Sequence, residues 1–243
     1  MANKKNKINF LCSECGDDFP KWNGQCPSCK EWGTLSEFKV IGKKRASRNE
    51  YRGYKQLNDI LKEKPGDRIS TSITETDRVL GGGLLPGSLL LLGGNPGVGK
   101  STLALHICSG IKKPVLYISA EESEEQVAIR ANRLNILSED LHLSSENELE
   151  GIFNHIDRIS PSLVIIDSIQ TIVNSDLDSL PGSPSQIRDC GQKFLEISKQ
   201  KNVIIIIIGH VTKEGTIAGP KMLEHMAEAA AIQREEGAHV TIN

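Results

Sequence analysis

Between about residues 56 and 226, short and continuous apolar runs alternate with longer stretches in which apolar residues recur at helical spacing. Continuous apolar runs are typical of strands that are buried on both faces of a parallel sheet. Their alternation with helices predicts an α/β domain with right-handed crossovers, in which the all-isoleucine run lies at the sheet centre. The predicted strands are Leu89–Leu92, Val115–Ser119, Leu141–Leu143, Leu163–Asp167 and Val203–Ile208, and the predicted helices are Lys100–Ser109, Glu122–Leu134, Glu146–Ile159 and Gln186–Lys201.

Composition divides the chain into three parts. Residues 8–38 hold four cysteines and both tryptophans. Residues 39–55 carry seven basic side chains against one acid, which predicts a basic linker that is either a solvated tether or a DNA contact. Residues 56–243 form the α/β domain, whose apolar pattern is lost after about residue 226. The last segment, 227–243, predicts only a weak hairpin, so the strand beside Leu89–Leu92 is in doubt and an exposed sheet edge is expected there.

Charge and hydrophobicity restrict the partners of the protein. The chain of 243 residues is 38% hydrophobic, which is enough for a core, and its net charge of −2 requires that any nucleic-acid surface be local. Its apolar run Val203–Ile208 is far shorter than the ~20 residues that cross a bilayer. No signal peptide precedes Cys12. We therefore expect a cytoplasmic protein without a membrane partner.

Two CxxC pairs lie ten residues apart near the start of the chain. Each pair can bend into a knuckle with two thiolates, and two knuckles complete a tetrahedral site for a structural zinc ion, with no position left for catalytic water. A disulfide pair and buried thiols are the alternatives. Trp22 and Trp32 are expected to pack over this zinc ribbon, which is too small for a core of its own. The predicted zinc ligands are Cys12, Cys15, Cys26 and Cys29.

A glycine-rich segment between the first predicted strand and helix matches G-x-x-x-x-G-K-[ST]. Its glycines allow backbone N–H groups to turn around phosphate oxygens, and the helix N-terminus adds its positive dipole end. Lys100 is expected to reach the β- and γ-phosphates, and the Ser101 hydroxyl to bind Mg²⁺. The alternative is a glycine-rich turn without a ligand. The predicted ATP-binding residues are Gly94, Asn95, Pro96, Gly97, Val98, Gly99, Lys100, Ser101 and Thr102.

Polar residues follow three predicted strands at the sheet edge where ligands gather in open α/β sheets. Asp167 is expected to hold Mg²⁺, although apolar strands often end in an aspartate without one. Glu121 is expected to orient the water that attacks ATP, whereas Glu122 and Glu124 suit the acidic first turn of the following helix. His210 is either a contact to the γ-phosphate or an ordinary surface histidine.

Four segments are distinctive in combination. They are Trp22-Asn-Gly-Gln-Cys-Pro-Ser-Cys-Lys-Glu-Trp32, Asp77-Arg-Val-Leu-Gly-Gly-Gly-Leu-Leu-Pro-Gly87, Tyr117-Ile-Ser-Ala-Glu-Glu-Ser123 and Gly209-His-Val-Thr-Lys-Glu-Gly-Thr-Ile-Ala-Gly-Pro220. Together they resemble the RadA (Sms) family of bacterial DNA-repair proteins, a branch of the RecA-like ATPases. The resemblance runs from about residue 8 to 226 and implies a RecA-like P-loop domain behind a small N-terminal zinc ribbon.

The resemblance also implies a function. Family members are DNA-dependent ATPases that bind single-stranded DNA, process recombination intermediates by branch migration and form hexameric rings with ATP between subunits, alongside other recombination proteins. Glu121 matches the catalytic glutamate of the family, and His210 matches its γ-phosphate sensor. Lys213, Gly215 and Gly219 fall on the loop that faces DNA, for which the alternative is an ordinary surface hairpin.

The sequence departs from this family after Met226. Family members continue with further strands, a Lys-Asn-Arg-Phe-Gly motif and a Lon-protease-like domain, which are absent from these 243 residues. We therefore expect a C-terminally truncated copy, for which the alternative function is an ATP- and DNA-binding module with little turnover. A third hypothesis is a P-loop protein of the circadian-clock or signalling branch, which shares the Gly-Gly-Gly-Leu-x-Pro-Gly segment. The cysteine pairs and the basic linker disfavour it.

Overall fold

The computed structural model of the chain describes residues 7–12, 18–40, 56–57, 67–210, 229–234 and 237–242. The chain divides into two compact units, Met1–Asp67 and Arg68–Asn243. Each unit has a sheet of its own. The division separates the cysteine-rich segment from the predicted α/β domain.

The first unit contains a small antiparallel sheet. Its strands are β1 Lys7–Cys12, β2 Asp18–Phe19 and β3 Leu35–Val40, arranged in the order β2-β1-β3. Within the described part of this unit, the buried core consists of Cys12, Cys26 and Leu35, and Phe10 and Phe19 pack against it. So small a core stabilises the unit little by burial alone.

The second unit holds a sheet that has seven strands among the described residues. They are β4 Leu89–Gly94, β5 Val115–Ser119, β6 Leu141–Ser144, β7 Leu163–Asp167, β8 Ile204–His210, β9 Ala229–Arg234 and β10 Gly237–Ile242. Their order is β10-β9-β4-β8-β7-β5-β6, so the isoleucine-rich strand β8 lies at the centre, as predicted. Neighbours from β9 to β6 pair in parallel, which confirms the predicted parallel sheet, while β10 pairs antiparallel with β9.

Helices connect these strands. Those described are α1 Thr74–Val79, α2 Lys100–Gly110, α3 Glu124–Arg133, α4 Leu149–Ile159 and α5 Pro184–Lys201, with a 3-10 turn at Ile169–Thr171. Helix α3 begins two residues later than predicted, because Ser123 and Gln126 form a capping box at its N-terminus. Helix α5 begins two residues earlier, because a proline is well suited to the first turn of a helix.

Alternate residues of the strands point to opposite faces of the sheet, and both faces are covered. Leu89 and Leu91 lie in one buried cluster with residues of α4 and α5, including Phe194. Leu90 and Leu92 lie in a second cluster with residues of α2 and α3. Because residues on both faces of these strands are buried, successive residues are apolar and each strand appears in the sequence as a continuous apolar run.

The hairpin β9–β10 corrects one expectation and confirms another. The expectation that β4 has no neighbour on its outer side is wrong, because β9 pairs with β4 in parallel, with Leu90 opposite Ala229. The weakly predicted hairpin is present, since Gly237–Ile242 pairs with Ala229–Arg234. Main-chain hydrogen bonds hold a strand in a sheet even where the sequence lacks a strong apolar pattern.

Candidate functional site

The predicted nucleotide-binding residues meet at one edge of the large sheet. Parallel strands β4, β5, β7 and β8 all end there, with Gly94 opposite His210 and Ser119 opposite Asp167. The Ala120 N–H also donates to the Asp167 carbonyl oxygen at 3.0 Å, which ties the ends of β5 and β7 together. Ligands of open α/β sheets bind at this carboxyl edge.

The glycine-rich loop between β4 and α2 needs its glycines for conformation. Gly94, Gly97 and Gly99 have φ angles of 158°, 85° and 93°. A Cβ atom on Gly97 or Gly99 would meet nothing within 4 Å, so positive φ, and not crowding, requires glycine at these two positions. Gly99 is the N-cap of α2 and has no side chain to occupy the free N–H groups of the first helical turn. These N–H groups suit an anion such as phosphate.

Lys100 is the first residue of α2 and is only 5% exposed. Its Nζ donates to the carbonyl oxygens of Gly94 at 2.8 Å and Asn95 at 2.9 Å. An ammonium group has three N–H donors, so these two bonds leave one for a phosphate oxygen. Burial lowers the pKa of Lys100, and the charges of the Asp167 and Glu121 carboxylates oppose that shift. The lysine and the two acids therefore belong to one electrostatic site.

Asp167 is held by a buried tyrosine. The Tyr117 hydroxyl donates to Asp167 Oδ2 at 2.6 Å, and the Tyr117 side chain is fully buried. Burial raises the pKa of Tyr117, and the adjacent Asp167 carboxylate raises it further, so the phenol remains a donor at physiological pH. The sequence patterns did not predict this contact. Its signal is a single tyrosine within an otherwise aliphatic strand that is buried on both faces.

Glu121 has a partner that was also missed. Ser168 is fully buried, and its Oγ donates to Glu121 Oε1 at 2.6 Å. The bond joins the segment after β5 to the segment after β7, next to Asp167. It fixes one oxygen of an exposed carboxylate, which is the kind of orientation that a water-positioning group needs.

The expectation for the two following acids holds only for one of them. Glu124 is the first residue of α3, and its Oε1 accepts hydrogen bonds from the N–H and the hydroxyl of Ser145, both at 2.8 Å. Glu122 precedes the cap Ser123 and lies outside the helix. It pairs instead with Arg130, in the second turn of α3.

The segment before β4 is tightly constrained. Asp77 accepts hydrogen bonds from the N–H of Thr71 at 2.8 Å and from its hydroxyl at 2.7 Å. Arg68 donates to the carbonyl oxygens of Leu80 at 2.9 Å and Gly83 at 2.8 Å. A Cβ atom on Gly83 would lie 2.6 Å from the Ile69 carbonyl oxygen, so this glycine is required for space as well as for its φ of 122°. These contacts fix the chain that leads into the P-loop strand.

Of the remaining predicted site residues, some lie at the predicted edge and others lie outside the described residues. Ser101 and Thr102 lie half-buried in the first turn of α2. The backbone of His210 lies beside Gly94 at the end of β8, which places this residue at the predicted edge. Lys213, Gly215 and Gly219 lie outside the described residues, as does Cys15 among the predicted zinc ligands.

Three of the predicted zinc ligands converge in the first unit. The Sγ atoms of Cys12, Cys26 and Cys29 all lie within 4.8 Å of one another. Cys12 Sγ and Cys29 Sγ are 3.6 Å apart, which is too far for a disulfide bond. Sulfur atoms at about 2.3 Å from a tetrahedral zinc ion lie about 3.8 Å apart. The spacing and the thiolate chemistry of these residues therefore fit a structural zinc ion, whose fourth ligand is predicted to be Cys15.

The other two cysteines differ in character. Cys108 and Cys190 are each buried in the core of the second unit. Burial raises the pKa of Cys108 to about 12 and that of Cys190 to about 12. Thiols with such pKa values are unreactive at neutral pH, so these two residues are packing residues.

The expectation that the tryptophans pack over the zinc ribbon is met only in part, because both rings lie near Gly24 but most of each side chain is exposed. Trp22 is 60% exposed and Trp32 is 74% exposed. The side chains that close the small core are Cys12, Cys26 and Leu35. A unit this small has few positions that exclude water.

None of the helices in the described part of the chain combines the length and the apolar character that a bilayer span requires.

Comparisons with known proteins agree with this geometry. Residues 58–216 match the model of the AAA domain family, and residues 10–37 match that of the rubredoxin metal binding domain. DNA repair protein RadA of Halalkalibacterium halodurans is 45% identical over 98% of the chain, and those of Bacillus subtilis and Haemophilus influenzae are 44% and 41% identical over 97% and 96%. The chain covers 53–54% of these proteins, so it spans about half the length of the curated relatives it matches.

Solved structures support the fold of the second unit. A solved ATPase domain aligns with a TM-score of 0.60 at 14% identity, over 74% of this chain and 80% of that one. A KaiC-like protein from Pyrococcus horikoshii aligns with a TM-score of 0.59 at 19% identity, over 74% of this chain and 89% of that one. At these identities the likeness establishes a shared RecA-like fold, which confirms the predicted fold class.

Proposed function

The chain belongs to the AAA domain family, and from that membership and its similarity to DNA repair protein RadA we propose that it is a DNA-dependent ATPase of DNA repair. In this proposal the second unit hydrolyses ATP, and the hydrolysis is coupled to binding of single-stranded DNA and to branch migration of recombination intermediates. The first unit is a zinc ribbon. The active form is a ring of identical subunits, which works with other recombination proteins.

The convergence of Lys100, Glu121 and Asp167 beside a glycine-rich loop supports this proposal most directly. The buried lysine amine and the N–H groups at the start of α2 offer positive charge to a triphosphate. Both carboxylates lie near that amine, where the terminal phosphate of a bound nucleotide would be attacked. A glycine-rich turn without a ligand has no need for this arrangement.

The carboxylate of Asp167 and the hydroxyl of Ser101 are oxygen ligands of the kind that Mg²⁺ prefers, and these residues would hold it. Bound Mg²⁺ supplies charge neutralisation on the phosphate oxygens. Tyr117 donates to Asp167 Oδ2 at 2.6 Å and leaves the other carboxylate oxygen for the ion or its water. Lys100 orients the phosphate groups with the N–H that is not bonded to the loop.

Glu121 is proposed to orient the attacking water. Its Oε1 accepts from Ser168, and this bond orients the carboxylate that is proposed to accept a proton from water. Ser168 acts as a positioning residue because its hydroxyl contacts Glu121. His210 lies at the end of β8, the strand next to β4, and is proposed to contact the γ-phosphate from there.

The DNA part of the proposal rests on similarity and charge. Relatives at 41–45% identity are named DNA repair proteins. The linker 39–55 carries seven basic side chains and one acid, which suits a phosphate backbone in a chain whose net charge is −2. Lys213, Gly215 and Gly219, which follow β8 in the sequence, are proposed DNA contacts.

Phosphate release in the presence and absence of single-stranded DNA tests the proposal. We expect DNA to raise turnover, and Lys100→Ala to lower it by about 100- to 1,000-fold, since one preorganised donor to a transition-state oxygen has that effect. Lys113→Ala is the matched control, because Lys113 is an exposed lysine beyond the end of α2. It should behave as wild type.

Three results would contradict parts of the proposal in different ways. Unchanged turnover with DNA would count against the repair function but not against the ATPase. Tight ATP binding without phosphate release would identify an ATP- and DNA-binding module instead of an enzyme. ATP binding that survives Lys100→Ala would contradict the assignment of the nucleotide site itself.

A further inference from the structure

The two tryptophans of the first unit are the only tryptophans of the chain, and both are exposed. Trp22 is 60% and Trp32 is 74% exposed, although burial of so large an apolar side chain would be favourable. Neither is required by the small core of Cys12, Cys26 and Leu35. Exposed aromatic side chains that lie close together outside the core are typical of binding surfaces.

Gly24 lies between the two indole rings. A Cβ atom placed on Gly24 would be 3.5 Å from Trp32 Cζ3 and 3.8 Å from Trp22 Cη2. Both rings therefore border the same small space above the main chain. Because glycine occupies that position, no side chain of residue 24 fills the space.

The knuckle of the zinc ribbon holds the two rings in place. Gly33 N–H donates to the Gly24 carbonyl oxygen at 2.8 Å, and Cys26 N–H donates to the Glu31 carbonyl oxygen at 2.8 Å. Gln25 and Trp32 form an isolated antiparallel bridge. The backbone of Trp32 is thus paired with the segment Gly24–Cys26, which follows Trp22 and includes one of the predicted metal ligands.

We propose that Trp22, Gly24 and Trp32, here called the tryptophan platform, bind unpaired nucleotide bases of single-stranded DNA by stacking. This inference rests on the proposed function, since it names the surface of the first unit that takes the DNA. Every base has a π face, so stacking on indole is tolerant of sequence. A repair protein that acts on many sequences needs contacts of this kind.

The exposed charges beside the platform are two lysines and one acid. Lys21 adjoins Trp22, Lys30 lies two residues before Trp32, and Glu31 adjoins Trp32. Further along the sequence, residues 39–55 add seven basic side chains against one acid. The combination of aromatic stacking and basic side chains is the usual one in single-strand binding.

Intrinsic fluorescence tests the proposal directly, because both indoles of the chain belong to the platform. The full zinc-loaded chain is titrated with an oligo(dT) strand and with a duplex of equal length, and the anisotropy of a labelled oligonucleotide is followed in parallel. We expect the single strand to quench the fluorescence at the concentrations at which it binds. The duplex, whose bases are already stacked, should quench much less.

Substitutions separate stacking from folding. Trp22→Ala and Trp32→Ala should each weaken binding of the single strand by about 5- to 150-fold, as expected for loss of one stacked base, whereas Trp32→Phe should recover most of the affinity. Gly24→Leu keeps both indoles but fills the space between them, and it should weaken binding as well. Leu137→Ala is the matched control, since Leu137 is 84% exposed in the other unit and should bind as wild type. Zinc content of each variant, measured with a chromogenic chelator, verifies that the ribbon is folded.

Each outcome decides one question. Quenching by the single strand, together with weaker binding of zinc-loaded Gly24→Leu, supports the platform. DNA that raises ATP turnover and anisotropy but leaves the fluorescence and the tryptophan variants unaffected overturns the platform and leaves the proposed function intact. Absence of any DNA effect on anisotropy or turnover overturns both. Quenching that is equal for single strand and duplex overturns stacking and indicates a backbone contact.

Discussion

The two units of this protein are stabilised in different ways. The second unit buries clusters of 17 and 18 residues on the two faces of its large sheet. In the described part of the first unit the buried cluster has three residues, and two of them are predicted metal ligands. The same chain thus contains one unit with a large apolar core and one unit whose small core is built around cysteines that suit a metal ion.

The two units also differ in whether their large aromatic side chains are accessible to a partner. In the second unit, Tyr117 and Phe194 are completely buried, so both contribute to packing. Tyr117 also donates an internal hydrogen bond to Asp167. In the first unit, Trp22 and Trp32 remain exposed and lie outside the small buried core. A unit that needs few core residues leaves its aromatic side chains available for a partner.

Removal of zinc should have the largest effect and should act on one unit only. Structural zinc contributes about 10–16 kcal/mol to the folding of small zinc domains at neutral pH. We expect a strong chelator to unfold the first unit and shift its tryptophan fluorescence, while ATP binding in the presence of re-supplied Mg²⁺ persists. The measurements are fluorescence and nucleotide binding on the same sample. Loss of ATP binding together with zinc would show that the two units depend on each other.

A substitution in the core of the second unit should have the reverse effect: it should destabilise the second unit and leave the first unit unchanged. Phe194 is fully buried and makes an edge-to-face contact with Phe153 at a centroid distance of 5.9 Å. We expect Phe194→Ala to lower the free energy of unfolding of the second unit by about 3–5 kcal/mol and to leave zinc content unchanged. Urea denaturation followed by far-UV circular dichroism measures this change.

Ile129→Ala is the matched control for this substitution, because Ile129 is 70% exposed on α3. Its change in unfolding free energy should lie within about 0.5 kcal/mol. A similar loss for both variants would contradict the assignment of Phe194 to the stabilising core.

Tyr117→Phe tests whether a core residue of the second unit also serves the site. The substitution retains the ring and removes the hydrogen bond to Asp167 Oδ2. We expect the Mg²⁺ concentration at half-maximal ATP turnover to rise by about 10- to 100-fold, as for other groups that orient a metal ligand. Turnover is measured against Mg²⁺ concentration at saturating ATP.

A merely structural role of Tyr117 would give a different result. The unfolding free energy would fall, but the Mg²⁺ concentration at half-maximal turnover would stay the same. Binding of ATP in the absence of Mg²⁺ should be equal in both proteins in either case.

The smallest effect is expected at Asp77, which is neither in the core nor in the site. Burial raises the pKa of Asp77, but hydrogen bonds from Ser70 and Thr71 outweigh it, so the net pKa lies below the ordinary value. A depressed carboxyl pKa contributes stability above the unfolded-state pKa of about 3.9, and that stability is lost as the pH falls through the folded-state pKa.

We therefore expect Asp77→Asn to lower the unfolding free energy of the second unit by about 1 kcal/mol at pH 7, and the difference to shrink below about pH 4. Urea midpoints between pH 7 and pH 3 measure it. Thr74→Ala is a suitable control, because Thr74 is exposed in the same short helix. A difference that grows towards acid pH would contradict the assigned sign.

Most of the second unit could be predicted from the sequence. Five continuous apolar runs correspond to five of the strands, and the order of the sheet agrees with the central position assigned to the isoleucine run. The P-loop, Glu121 and Asp167 could be proposed because each has a local signal: a glycine pattern or an acid after a strand. The hairpin β9–β10 has only a weak signal in the sequence, since strand pairing relies on main-chain hydrogen bonds that leave little trace in composition.

The contacts that orient the site residues have no local signal. Tyr117 and Asp167 are 50 residues apart, and Ser168 and Glu121 are 47 residues apart. Only the parallel pairing of β5 with β7 brings them together. The pairing of Glu122 with Arg130 was likewise hidden, because it depends on where the cap at Ser123 starts the helix.

The sequence by itself determined the chemistry of this protein: the phosphate-binding loop, the acids beside it and the cysteines suited to zinc, because these depend on residue types at short spacings. Only the tertiary structure decided which hydroxyl orients which carboxylate, which strand covers the edge of β4 and that both tryptophans face solvent. Burial and strand pairing are properties of the whole packed chain, and no short stretch of residues encodes them.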